Sequence, residues 1–173
     1  MNLKGFKKNT VLKFIKKQID ANENQRIALK KIENVGILAD YDLYNTYDFT
    51  KFLCEKIDIR NSDIKLYLYQ EKDLHENHEN YKFFNDKSIN LRGKIKDLKV
   101  KHFVNKEFDL LINYCKQDNI FAHLIALESK AKLKVSFETD ELKIYDVSID
   151  IEENKIDTFN TELVKYLHIL KLV

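Results

Sequence analysis

Polar side chains stand where two apolar segments of this sequence end. Asp40 and Asp42 follow the first segment, and Asn113 closes a later one. If both segments are strands of a parallel sheet, these residues lie at its carboxyl edge, where open α/β sheets bind ligands. Ser129 closes a predicted helix and is the fourth candidate. We therefore predict a ligand pocket formed by Asp40, Asp42, Asn113 and Ser129, with no catalytic residue assigned.

The acidic turn after the first segment argues against a nucleotide site. Phosphate-binding turns are glycine-rich and offer backbone N–H groups at a helix N-terminus. Asp40 and Asp42 would instead repel phosphate unless Mg²⁺ intervened. Acidic residues after a first strand also occur in bacterial response-regulator receiver domains. However, Asn113 stands where the phosphoacceptor aspartate would be expected. Asp40 and Asp42 are then interpreted as residues that cap or solvate a loop.

Two further patterns suggest chemistry but do not match a known site. His75 and His78 are three residues apart, whereas the zinc-protease motif requires a spacing of four with an intervening glutamate. We interpret that stretch as a charged loop and predict no metal and no cofactor. Ser129 precedes Lys130, but a serine needs a base within reach to act as a nucleophile.

Strand and helix patterns alternate along most of the chain. A continuous apolar run at 35–39 and mainly apolar segments at 64–69 and 108–113 predict strands, and periodic segments at 48–58 and 118–131 predict helices. We expect an α/β fold whose mostly parallel central sheet is flanked by helices, in a flavodoxin-like or Rossmann-like arrangement. We divide the chain into a basic amphipathic helical extension (1–33) and a single α/β domain (34–173).

Positive charge is concentrated in the first 32 residues. They carry nine basic and two acidic side chains, a net charge of +7, whereas the whole chain has +2, so the remainder carries −5. Such a field attracts polyanions. The lysines predicted to bind a polyanion are Lys4, Lys7, Lys8, Lys13, Lys16, Lys17, Lys30 and Lys31.

Three hypotheses compete for the basic helix, which we expect to start after Asn9 or Thr10. Its apolar stripe, with Val11 and Ile15 at its centre, can pack on the domain while the lysines face water. The lysines can dock on RNA or a ribonucleoprotein. The helix can also lie on an anionic membrane surface, although its stripe is narrow and lacks tryptophan. The sequence does not name a protein partner.

The composition of the chain favours a cytoplasmic protein over a secreted or membrane-spanning one. The sequence has two cysteines, Cys54 and Cys115, no proline and three glycines. The cysteines lie far apart and outside any CxxC pattern, which is typical of reduced thiols in a cytoplasmic protein. No apolar run approaches the ~20 residues of a membrane span, and the N-terminus does not match a secretory signal.

Three stretches resemble an uncharacterised bacterial family of short α/β proteins known only as a domain of unknown function. They are Val35-Gly36-Ile37-Leu38-Ala39-Asp40, Phe108-Asp109-Leu110-Leu111-Ile112-Asn113-Tyr114 and Ser129-Lys130-Ala131-Lys132-Leu133-Lys134-Val135. The resemblance covers nearly the whole chain. It implies one α/β domain in a cytoplasmic setting and assigns no activity.

The first functional hypothesis is a non-enzymatic cytoplasmic binding protein. Its basic helix would dock on an anionic partner, with RNA or the ribosome preferred, because the leader is basic and no catalytic motif is visible. The second is a small-molecule or nucleotide-binding α/β enzyme with its site at the strand ends. The third is a peripheral membrane protein.

Overall fold

A computed structural model describes residues 3–21, 29–71, 82–139 and 142–173 of the chain. The strands are β1 (Val35–Asp40), β2 (Ile64–Tyr69), β3 (Lys82–Phe84), β4 (Leu110–Asn113), β5 (Leu133–Phe137) and β6 (Val147–Ile149). The helices are α1 (Leu3–Ala21), α2 (Tyr41–Tyr44), α3 (Phe49–Ile57), α4 (Leu98–Asn105), α5 (Ile120–Glu128) and α6 (Ile156–Ile169).

The six strands form one sheet in the order β3-β2-β1-β4-β5-β6, and every neighbouring pair is parallel. This is the strand order of Rossmann-type doubly wound folds. The predicted fold class is therefore confirmed. Because the chain leaves β1 first toward β2 and later returns to place β4 on its other side, the carboxyl ends of β1 and β4 flank a crevice.

Successive side chains of β1 point to opposite faces of the sheet and contribute to a hydrophobic core on each face. Ile37 and Ala39 belong to a buried cluster with α3 and α6, whereas Leu38 belongs to a second cluster with α1, α4 and α5. Side chains that alternate across the sheet need apolar cover on both faces, which explains the continuous apolar run of this strand. Helices on both faces provide that cover.

The N-terminal helix is part of the second core. Val11 and Ile15 are fully buried, and the helix packs against α5. It begins at Leu3, earlier than we expected, because the Thr10 hydroxyl donates a hydrogen bond to the Phe6 carbonyl one turn back instead of capping a helix. The boundary that we drew at residue 33 stays a prediction.

Local signals set several other boundaries. The carboxylate of Asp48 accepts the backbone N–H of Thr50 and Lys51, which starts α3, as its sequence position predicted. The sequence also predicts a second helical stretch near 25–32, but its described part, 29–32, is not helical, and the rest of that range lies outside the described residues. The histidine pattern of His75 and His78 also lies outside them.

Candidate ligand-binding cleft

A cavity of about 660 Å³ opens at the carboxyl ends of the strands. It is lined by the turn after β1, the end of β2, the loop between β4 and α5, the loop before α6 and the first turns of α1. A volume of this size is typical of small-molecule sites, which occupy roughly 300–1,000 Å³. The cavity therefore coincides with the switch point that the strand order defines.

Aromatic side chains form much of the apolar lining: Tyr41, Tyr69, Tyr114 and Phe121. Tyr114 is held from behind, since its hydroxyl donates a 2.6 Å hydrogen bond to Asn160 of α6. Burial raises the pKa of Tyr69 to about 12, so this side chain stays a neutral phenol at neutral pH. Tyr41 and Tyr69 are partly exposed and offer uncharged ring surface to an organic ligand, whereas Tyr114 and Phe121 are almost fully buried.

Asp40 bridges the two strands of the switch point. Its carboxylate accepts the backbone N–H of Lys116 at 3.0 Å and the side-chain amide of Asn119 at 3.4 Å. It occupies the N-cap position of α2 but makes no side-chain cap there. Burial raises the pKa of Asp40 above the ordinary carboxyl value. Asp40 therefore joins the β1 turn to the β4–α5 loop instead of capping its own helix.

Several backbone donors of the β4–α5 loop are bonded to the chain's own acceptors. Asp40 accepts from Lys116, and Glu153 accepts from Gln117. The N–H of Cys115 donates to the Asn113 side chain at 3.0 Å. At the start of α5, the Asn119 side chain accepts from Ala122 at 3.1 Å. These N–H groups, which could otherwise cradle a phosphate, are already satisfied.

Charges of both signs line the cleft, with acids in excess. The acidic residues are Asp40, Asp42, Glu71, Asp118 and Glu153, and the basic ones are Lys4, Lys8 and Lys116. Lys4 of α1 forms an ion pair with Glu71 beyond β2. With five carboxylates against three ammonium groups, the lining as a whole repels anions.

Gln70 supplies a side-chain hydrogen-bond donor that has no acceptor among the described residues. It follows β2 and lines the cleft. Its side-chain nitrogen is buried and has no hydrogen-bond partner within the described part of the chain. Buried polar atoms are rarely left unpaired. A ligand carrying an acceptor would satisfy this donor.

A buried polar network supports the β4–α5 loop from below. The Asn113 amide donates to the Tyr145 hydroxyl at 2.7 Å, and that hydroxyl lies 2.7 Å from Nδ1 of His123. Nε2 of His123 lies 2.8 Å from the carbonyl of Gln117. A carbonyl only accepts, so Nε2 carries the proton and Nδ1 accepts from Tyr145. Burial lowers the pKa of His123, which keeps the ring neutral.

The predicted pocket residues separate into two groups. Asp40 and Asp42 line the cleft. Asn113 is fully buried beneath it and acts through the network described above. Ser129 does not line the cavity, because it ends α5 and precedes β5, which places it at the amino edge of the parallel sheet. Its hydroxyl accepts the N–H of Ala131 at 3.2 Å.

The lysines predicted to bind a polyanion also fall into groups with different positions in the structure. Lys4 and Lys8 line the cleft, and Lys7 is buried with its ammonium group on the backbone carbonyl of Asp86. The remaining five are exposed: Lys13, Lys16, Lys17, Lys30 and Lys31. Sequence reasoning missed that α1 forms a wall of the cleft, since only the α1–α5 packing brings these lysines there.

Within the described ranges, no group of three or more His, Cys, Asp or Glu side chains is arranged to hold a metal ion. None of the helices in the described part of the chain has the length and apolar character needed to cross a membrane.

The fold and the cleft together define a doubly wound α/β protein with a ligand-sized cavity at its topological switch point. The chain belongs to a family of unknown function, DUF6913, whose model matches residues 7–170. This confirms the membership in an uncharacterised family that the sequence suggested. No curated protein and no solved structure matches the chain.

Proposed function

We propose that this protein binds a small, phosphate-free organic molecule in the cleft at the carboxyl ends of its strands. The observation that carries the proposal is the position of the cavity: about 660 Å³ lies at the crevice between β1 and β4. Ligands of doubly wound folds bind at this crevice. The fold alone does not name a ligand, so the ligand class is argued from the lining.

Three features of the lining favour an uncharged or cationic ligand. The loop N–H groups of Lys116 and Gln117 are bonded to carboxylates. Acidic residues outnumber basic ones, and aromatic rings form the apolar walls. A phosphate would meet repulsion from Asp40 and Asp42, whereas an amine would meet carboxylates and ring faces.

The lining supports binding more directly than covalent catalysis. Its side chains are carboxylates, ammonium groups, amides, rings and one leucine. Cys115 lies nearby in sequence, but it is buried, and burial raises its thiol pKa well above the ordinary value, so the thiolate needed for nucleophilic attack is disfavoured. A binding protein is therefore the proposal, and no reaction is assigned.

A fragment screen tests the proposal. A panel of phosphate-free aromatic amines and neutral heterocycles would be titrated against the ¹⁵N-labelled protein, with adenosine monophosphate and inorganic phosphate as anionic comparisons. We expect shifts of amides in the β1 turn and the β4–α5 loop. Asp42→Trp should fill the mouth of the cleft and abolish these shifts, while Glu55→Trp, exposed on α3 and outside the lining, should preserve them.

Two results would count against the proposal. If no probe shifts amides of the cleft, the cavity is not a ligand site. If adenosine monophosphate binds there more tightly than the amines, the cleft is a ligand site but its chemistry is that of a nucleotide protein.

The proposal includes a cytoplasmic location, which the two free cysteines support. RNA or ribosome association through residues 1–32 stays a hypothesis. Its support is the exposure of Lys13, Lys16 and Lys17 on α1. Their positive charge would attract any polyanion and does not single out RNA.

A further inference from the structure

A second basic segment lies outside the N-terminal leader. Residues 85–106 carry seven basic and two acidic side chains, a net charge of +5. Six of the basic side chains are exposed within 87–101: Lys87, Arg92, Lys94, Lys96, Lys99 and Lys101. This charge is hidden in the sequence totals, because the chain beyond residue 32 is acidic as a whole.

Two contacts place this segment along α1. The ammonium group of Lys7 bonds the carbonyl of Asp86 and lies 3.7 Å from its carboxylate. Further along, a Cβ added to Gly93 would lie 3.3 Å from the Cβ of Phe14 and 3.6 Å from the Cα of Val11. Lys7 and Phe14 are about 10 Å apart along a helix axis. The 86–93 stretch therefore runs beside two turns of α1.

The two segments together present one charged surface. We call it the basic face, defined by the six exposed side chains of 87–101 and by the exposed Lys17 of α1, which at 100° per residue lies within about a quarter turn of the Lys7–Phe14 side of the helix. A cluster of this size attracts an anionic partner and makes the association dependent on salt.

Exposed apolar side chains lie close in sequence to these basic residues. Phe6 is 58% exposed, Leu91 is 56% exposed and Leu98 is 78% exposed. Phe6 precedes Lys7, Leu91 precedes Arg92, and Leu98 lies between Lys96 and Lys99. Exposed large apolar side chains next to lysines and arginines are the composition of segments that lie on a membrane interface.

The turn that carries Leu91 is held rigidly. The Asn90 side chain accepts the N–H of Arg92 at 2.8 Å and of Lys94 at 3.1 Å. Gly93 has φ +77°, a conformation that favours glycine, and its N–H donates to the Asn90 carbonyl. Ile89 and Ile95 pair across the base of the turn. Leu91 is thus displayed at low entropic cost.

We propose that the basic face binds peripherally to an anionic membrane surface, with Phe6, Leu91 and Leu98 entering the boundary between headgroups and acyl chains. The basic side chains would bind the phosphate backbone of an RNA, but the two exposed leucines would add little affinity for it. An anionic bilayer uses both, since lysines attract its headgroups and apolar side chains enter below them. The observations therefore favour the membrane over RNA.

The proposal differs from the membrane hypothesis drawn from sequence. There, the apolar stripe of α1 would insert into the lipid. Val11 and Ile15 of that stripe are fully buried in the protein core, so they cannot insert into lipid while the protein is folded. Insertion through Phe6 and the 91–98 stretch leaves the fold intact and does not depend on the cleft having a ligand.

Vesicle flotation tests the proposal with matched variants. The full chain would be mixed with vesicles of phosphatidylcholine alone or with added phosphatidylglycerol, at low and high salt. Leu91→Ser with Leu98→Ser removes the exposed leucines of the basic face. Ile169→Ser with Leu170→Ser is the control, because these side chains are similarly exposed, at 74% and 48%, at the end of α6. Arg92→Glu with Lys94→Glu is matched by Lys51→Glu with Lys56→Glu on α3.

We expect binding to anionic vesicles only, weakened by salt. The leucine pair and the charge pair should each lower the partition coefficient about tenfold or more, and both controls should leave it unchanged. An unchanged partition in Leu91→Ser with Leu98→Ser would overturn the proposal. An absence of vesicle binding would also overturn the proposal. If the protein then binds poly(U) in a salt-dependent way that Leu91→Ser with Leu98→Ser does not alter, the basic face is an RNA-binding surface.

Discussion

The Asp40 carboxylate at the end of β1 accepts a 3.0 Å hydrogen bond from the backbone N–H of Lys116 in the loop after β4. One side chain therefore ties together the two turns that flank the switch point. In doing so it places negative charge where a phosphate-binding fold presents open N–H groups. The same contact fixes the loop that lines the cleft and disfavours a nucleotide.

Replacement of Asp40 separates its charge from its hydrogen bond. Burial raises the pKa of Asp40, so the folded protein holds a proton there more readily than the unfolded chain. For an acid with a raised folded pKa, the stability of the fold falls as pH rises from the unfolded value through the folded one. We expect Asp40→Asn to be at least as stable as wild type at pH 7, with the difference shrinking toward pH 4.

Asp40→Ala is the control, since it removes the acceptor as well as the charge. It leaves the exposed N–H of Lys116 without its protein partner, so it should be less stable than Asp40→Asn by about 0.5–1.5 kcal/mol. Urea unfolding of the three proteins at pH 4 and pH 7 measures both effects. Equal stability of the alanine and asparagine variants would show that the bridge to Lys116 contributes nothing.

Asp109 forms a second bridge, at the amino edge of the sheet. One oxygen accepts the backbone N–H groups of Glu33 and Asn34 at 3.0 and 3.2 Å, and the other lies 2.8 Å from Nζ of Lys132. Burial alone would raise the pKa of Asp109, but the hydrogen bonds from Lys132 and Glu33 outweigh it, and the pKa is lowered. The carboxylate therefore stabilises the fold above the unfolded pKa, and this contribution is lost as pH falls through the lower folded pKa.

We expect Asp109→Ala to cost roughly 2–3 kcal/mol of unfolding free energy at pH 7, because buried donors lose a charged acceptor. The difference from wild type should shrink below about pH 4. Glu162→Gln breaks an exposed ion pair with Lys165 on α6 and should cost less than about 0.5 kcal/mol. Denaturant titrations at pH 7 and pH 3 compare the variants. A pH-independent loss for Asp109→Ala would assign the effect to packing instead of charge.

Several elements of this fold were predicted from local patterns, but the order of its strands was not. The apolar run 64–69 predicted β2 to the residue, and Asp48 predicted the start of α3. The start of α1 was missed, because the Thr10 hydroxyl bonds within the helix. The order of the strands depends on pairings between distant segments, which a single sequence does not display.

The cleft was predicted only where it is local to a strand end. Asp40 ends β1 and Asp42 comes two residues later, so their position at the carboxyl edge could be inferred. Glu153 comes from the loop before α6, and Lys4 reaches the cleft by the packing of α1 on α5. Neither has a sequence signal that marks it. Asn113 was correctly seen as the end of β4, but its amide turns to Tyr145 below the cleft.

Gly36, the second residue of β1, lies against close-packed side chains on the α5 side of the sheet. A Cβ at this position would lie 3.0 Å from Cδ1 of Leu111 and from the ring of Phe108. We expect Gly36→Ala to destabilise the fold by about 1–3 kcal/mol, and Gly36→Val to cost more. Phe108→Leu in the alanine background should recover part of the loss by making room. Additive losses in that double variant, measured by urea unfolding, would contradict the steric explanation.

His123 offers a readout of the network under the cleft. Since Nε2 faces the Gln117 carbonyl, ¹⁵N chemical shifts should show a neutral imidazole protonated at Nε2 at pH 7. Burial lowers the pKa of His123, so the unfolded chain takes up a proton first as pH falls. For a base with a lowered folded pKa, the contribution to stability is complete above about pH 6.5 and decreases as pH drops toward the folded value.

Tyr145→Phe removes the hydroxyl that joins His123 to Asn113. It leaves Nδ1 of His123 and the Asn113 amide without that partner, so we expect a loss of about 2–4 kcal/mol. Tyr166→Phe, at an exposed position on α6, should cost less than about 0.5 kcal/mol. Because Gln117 belongs to the loop that lines the cleft, the first variant should also broaden the amide signals of residues 114–119. Sharp, unshifted signals there would show that the cleft does not depend on this network.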